Sequence, residues 1–168
     1  MVTPEYIRLM AAYNAEMNRR VYAAADRLTD AQRKQDRGLF WTSLHGTLSH
    51  LLWGDHNWMA RFDGWDKPAV ALAQSAGWHD DFATLRAGRV MTDARLIEWA
   101  GRVDAAWIAQ DQIWYSGAAK RDMAMARGIL MPHFFNHQTH HRGQAHAALT
   151  AFGQDPGDTD LFLLTEYF

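Results

Sequence analysis

Apolar residues recur at steps of three and four through four long stretches of this 168-residue chain, with little of the period-two alternation that marks a strand. Such a pattern requires helices that each bury one face against another. Thr3-Pro4 supplies an N-cap and a first-turn proline, and Tyr6, Met10, Tyr13, Met17, Val21 and Ala24 form a stripe, so a first helix is predicted to about Leu28. The polar segment LTDAQRKQDRG then reads as a short helical turn and a loop. A second helix is predicted from Thr42 or Ser43 to Phe62, with Leu44, Leu48, Leu51, Trp58 and Phe62 on its apolar side. The sixteen residues DGWDKPAVALAQSAGW carry Gly, Pro and small side chains and form a long connection.

A third helix is predicted from Asp80 to Ala109, lined by Phe82, Leu85, Leu96, Ala100, Val103 and Trp107, with Thr92-Asp93 as a place where it breaks or is re-capped. Ile113 to Tyr115 and Met123 to Ala126 form a small hairpin or an irregular loop. The fourth helix starts near Leu130 or Pro132 and stops at Phe152-Gly153, where glycine provides a C-cap. The tail should pack back on the body through Leu161, Phe162, Leu163, Leu164 and Phe168. The expectation is an all-α protein, a four-helix bundle in one domain over 1–168. The long connection after the second helix permits a crossover, so simple up-down-up-down order does not follow.

Composition narrows the function classes. With 48% hydrophobic residues the chain can bury a core and is not disordered. A formal net charge of −2 provides no global attraction to nucleic acid. No cysteine is present, so any metal must take nitrogen or oxygen ligands, in keeping with a reducing cytoplasm. The first twenty residues lack the basic segment and apolar run of a signal peptide, and no stretch has the ~20 apolar residues of a membrane helix. A cytoplasmic protein without a membrane partner is the expectation.

Five of the nine histidines fall within HFFNHQTHHRGQAH, residues 133–146. His137 and His141 stand four apart, one helical turn, so one metal ion can bridge them. They share a stripe with Leu130, Phe134, Ala145 and Ala148, which turns both imidazoles inward, where each needs a partner. A third ligand must come from elsewhere. His50, set among Leu48, Leu51 and Leu52 with small Thr47 and Gly54 beside it, is the candidate, and His45, His56 and Asp55 compete with it. The stretch is not a zinc-protease helix, because Gln138 stands where a glutamate base would be needed. Asp55, about 140° round the helix from His50, reads as a surface ion pair or local hydrogen bond. Arg142 reads as a structural ion pair, Gly143 as a site of close helix packing, and the tryptophans as core.

The segments SLHGTLSHLLWGDHNWMARF, FNHQTHHRGQAHAAL and GQDPGDTDLF, with the order and length of the four helices, resemble the DinB/YfiT family of metal-dependent bundle proteins. The resemblance spans nearly the whole chain. It implies an up-down-down-up bundle, a homodimer, and a divalent metal, zinc or nickel, held by His50, His137 and His141. Some relatives are thiol S-transferases or isomerases that use mycothiol, bacillithiol or glutathione. The resemblance therefore implies a metal-dependent enzyme with a low-molecular-weight thiol as cosubstrate, since this chain has no thiol of its own. The competing expectation is a non-catalytic metal-binding stress- or damage-response protein with a structural ion. Neither a catalytic base nor a substrate can be assigned from the residues.

Overall fold

Three of the four long helices start at a side chain that caps them. In the computed structural model, which describes residues 2–117 and 119–163, Thr3, Ser43 and Asp81 accept backbone N–H bonds from Tyr6, Gly46 and Thr84. They open α1 (Pro4–Asp26), α3 (Leu44–Phe62) and α4 (Phe82–Arg102). Between α1 and α3 lies α2 (Asp30–Lys34), held by a Thr29–Gln32 capping box. A 3-10 helix, Leu72–Gly77, sits in the long connection and packs on α3. After α4 come α5 (Ala105–Ile108), the antiparallel hairpin β1 (Asp111–Ser116) and β2 (Arg121–Ala126), and α6 (Arg127–Ala151).

The chain is thus mostly helical with a small two-stranded sheet, and the all-α expectation is corrected by that hairpin. The third predicted helix also ran too far. Asp104 is extended and accepts from the Trp107 N–H at 2.7 Å, so it caps a separate short helix after Arg102. Thr92 and Asp93 do not break α4; both are buried inside it. The last helix starts earlier than predicted, at Arg127, and carries Pro132 within it. Gly153, at φ +73, ends it as expected. Of the tail, Leu161 packs against Tyr13 and Met17, whereas Phe162 and Leu163 are exposed. Leu164 and Phe168 lie outside the described residues.

The long helices pack in pairs. α1 runs against α4, with Asn18 beside Asp93 and Asp26 beside Arg86. α3 runs against α6, with His50 beside His141 and Trp58 beside His133. α1 and α6 share a direction, as Tyr6 meets Phe135 and Asn14 meets Arg142. So do α3 and α4, as Asp55 meets Arg89 and Phe62 meets Trp99.

The core divides into two large apolar clusters, apart from a small pairing of Tyr13 and Met17. One gathers Ile7, Met59, Phe62, Leu96, Trp99, Met131, Phe134 and Phe135. The other gathers Val21, Tyr22, Leu44, Leu48, Leu52, Leu85, Ala145 and Leu149. Along each helix a buried polar residue stands between the two: Asn14 and Asn18 on α1, Asp55 on α3, Arg89 and Asp93 on α4, Gln138 and Arg142 on α6. These form a polar layer across the middle of the molecule. Buried charges require partners, and Arg89 takes Asp55 at 2.5 Å and Asp93 at 2.7 Å. Gln138 donates to Asp55 at 2.6 Å and Asn18 to Asp93 at 3.0 Å. The expectation of a surface role for Asp55 is overturned, since its side chain is 1% exposed.

Candidate metal centre

His50 is brought to the site by α3, and His137 and His141 by α6. One ring nitrogen from each lies within 4.8 Å of the others, and among the described residues this group has those three members. The Nε2 atoms of His50 and His137 face one another at 3.2 Å. His50 and His141 are buried and His137 is half-buried.

Neighbouring groups hold the Nδ1 edge of two of the rings. The Nδ1 of His50 lies 2.8 Å from the Ser75 hydroxyl, and the Nδ1 of His141 lies 2.8 Å from the side-chain oxygen of Gln144. An oxygen acceptor such as Gln144 demands Nδ1–H, which leaves Nε2 with a free lone pair. Ser75, fully buried, reaches His50 from the 3-10 helix and is fixed by Ser49, whose hydroxyl donates to the Ser75 carbonyl at 2.9 Å. Gly54 makes room for His137: a Cβ there would sit 3.1 Å from the His137 Cε1.

The surroundings keep these imidazoles neutral. Burial, then the neighbouring His137 and His141, pushes His50 down to about 3. Burial, then His141, pushes His137 down to about 4. Burial also lowers His141. Aromatic rings account for much of that burial. Trp41 stacks on His50 with centroids 4.1 Å apart, and Trp53 stacks at 5.9 Å. Phe40, 74% exposed, lies 6.4 Å from His141.

This donor set fits a divalent transition ion. It is all imidazole, it is held neutral, and its nitrogens lie within 4.8 Å of one another. The three nitrogens lie close enough together for one ion to take all three at once.

The competitors of His50 have other partners. The Nε2 of His45 bonds the His79 carbonyl at 2.7 Å, and the Nε2 of His56 bonds Thr92 at 2.9 Å. His133 and His140 are exposed, and His146 lies beyond the group on the α1 side of α6. Two cavities, of about 720 and 540 Å³, lie on other faces and include no member of the triad. Trp41, Ser75 and Gln144 went unidentified in the sequence. Trp41 and Ser75 come from outside the long helices, and no spacing rule ties them to His50, whereas Gln144 stands three positions after His141 on the same helix, an i, i+3 spacing that could have found it.

The sequence model of the DinB family matches residues 1–167, and the chain belongs to that family. No curated protein matches it.

Proposed function

We propose that this DinB family protein holds one divalent metal ion, zinc or nickel, on His50, His137 and His141, and works as a metal-dependent enzyme of the thiol S-transferase or isomerase type. The convergence of three neutral imidazole nitrogens within 4.8 Å, two of them oriented by Ser75 and Gln144, supports this reading. A bound divalent ion lowers the pKa of a coordinated thiol and so supplies a thiolate at neutral pH. With no cysteine in the chain, that thiol belongs to a small-molecule cosubstrate. The residues of this chain have defined tasks. The three histidines hold the ion, Ser75 and Gln144 orient two of them, and Trp41 and Trp53 exclude water from the back of His50. Three protein ligands leave a coordination position for a thiol.

The reading extends to architecture and setting. We take the four long helices as an up-down-down-up bundle, in line with their pairwise directions, in a cytoplasmic homodimer. Among the described residues, no helix is long and apolar enough to cross a membrane.

Elemental analysis of the purified protein tests the ion: about one zinc or nickel per chain is expected. Adding glutathione or a related thiol to a cobalt- or nickel-loaded sample should produce a sulfur-to-metal charge-transfer band. A metal-loaded protein with no spectral response to any thiol would sink the enzyme reading and leave a non-catalytic metal-binding protein.

A further inference from the structure

Both buried carboxylates of the polar layer are committed to Arg89, and this leaves the second buried guanidinium without one. Arg142 is 6% exposed. Its Nη1 donates to the side-chain oxygen of Asn14, a neutral partner that is itself 1% exposed. Among the described residues no ion pair joins Arg142, because Asp55 is held by Arg89 and Gln138, and Asp93 by Arg89 and Asn18. The expected structural ion pair for Arg142 is therefore absent from those residues. The Tyr13 ring lies 5.8 Å from the guanidinium carbon, and a buried cation with an amide and a ring face but no carboxylate for partners is costly; a guanidinium has further N–H donors to offer in a planar fork.

Arg142 lines a space of about 540 Å³ between α1, α6 and the segment after α6, within the size range of small-molecule sites. Thr139 and His146, also on its wall, can donate from the same face of α6. Tyr13 closes the opposite side and donates its hydroxyl to the Thr159 carbonyl at 2.7 Å, which ties the C-terminal segment down as a wall. Gly143 was expected to allow close helix packing. Instead, a Cβ placed there would meet nothing within 4 Å, so the glycine leaves open space on the cavity wall.

We propose that Arg142, with Thr139 and His146, forms a binding site for a small oxyanion, a carboxylate or phosphate borne by a small molecule, in the cavity between α1 and α6. The site is separate from the histidine triad and does not depend on the metal reading. Planar or tetrahedral oxyanions match the guanidinium fork, and one negative charge offsets the unpaired Arg142.

The test is a titration of the purified full-length protein with inorganic phosphate and, separately, with succinate. It is followed by calorimetry and by NMR of the arginine side chains. Saturable one-to-one binding of at least one anion, with the Arg142 Nε–H among the shifted signals, is expected. Binding of one anion and not the other identifies which source the site prefers. Arg142→Gln should weaken binding about tenfold or more. Gly143→Leu keeps the guanidinium, fills the cavity and should weaken binding equally, with bound metal unchanged; it decides the matter if Arg142→Gln does not fold. No saturable binding of either anion, binding undiminished in Gly143→Leu, or shifts centred on His50, His137 and His141 would each overturn the proposal.

Discussion

One hydroxyl decides which face of His50 meets an ion. With Nδ1 held at 2.8 Å by Ser75, Nε2 points at His137. Ser75→Ala frees the ring to rotate and should lower metal affinity about 10–100-fold, the usual cost of losing a group that orients a ligand; a competitive chelator titration reads this. Replacing His50, His137 or His141 by Ala should each remove most of the bound metal by elemental analysis, while His45→Ala and His79→Ala should not. A full complement of ion in His50→Ala would disprove its assignment. The metal-free protein should also respond to acid in a defined direction. His50 and His137 are depressed to about 3 and about 4, whereas an unfolded histidine titrates near ~6.5. Below that value the unfolded chain binds more protons than the native one, so stability is complete above pH ~6.5 and falls as the pH drops toward the native values. Melting temperatures of metal-free protein from pH 7.5 to 4.5 test this, and a temperature that rises on acidification would contradict it.

At the scale of elements, the short loop before α3 places the Trp41 ring. Thr42 adopts φ +69, a left-handed conformation rare for a β-branched residue, and its N–H bonds the Leu39 carbonyl at 2.8 Å in a tight turn with Phe40 and Trp41 at the tip. The turn closes over the start of α3 because position 46 is glycine: a Cβ there would collide with the Trp41 carbonyl. Two substitutions should move in opposite directions. Thr42→Gly relieves the left-handed strain at an exposed position and should stabilise by about 1 kcal/mol, after the extra entropy of an unfolded glycine. Gly46→Ala should push the turn away, lower the urea midpoint and weaken metal binding through the displaced Trp41. If Gly46→Ala matches the parent in both, the turn does not depend on that close approach.

Across the whole molecule, the two large apolar clusters flank a polar layer, and the triad lies at the edge of that layer rather than beneath the fold. The core is therefore complete without an ion, unlike a zinc finger. Chelation should lower the melting temperature and leave helical circular dichroism largely intact at 25 °C; loss of the helical signal would make the ion structural. The layer itself has a strong hold on stability. Arg89→Met leaves Asp55 and Asp93 buried without their cation, and should destabilise by about 3–5 kcal/mol in urea unfolding.

Local chemistry by itself determined a good deal. The 3.6-residue period marked the four long helices, the caps at Thr3 and Ser43 set two of their starts, and the i, i+4 spacing aligned His137 with His141. These are properties of a few adjacent residues, so they can be read along the chain. The polar layer could not be. On α1 the deepest stripe is Ile7, Ala11, Asn14, Asn18, Tyr22 and Ala25, one position round from the apolar stripe that the pattern favoured. Hydrophobicity points to a face, and here the centre of that face is polar because Asp93 and Arg142 arrive from other helices to meet it. In the same way Asp55 looks like a surface carboxylate until Arg89, 34 residues away, is packed against it. Only tertiary structure could decide these, because the free energy of burying a polar group depends on the partner it meets, and that partner is set by how the helices pack.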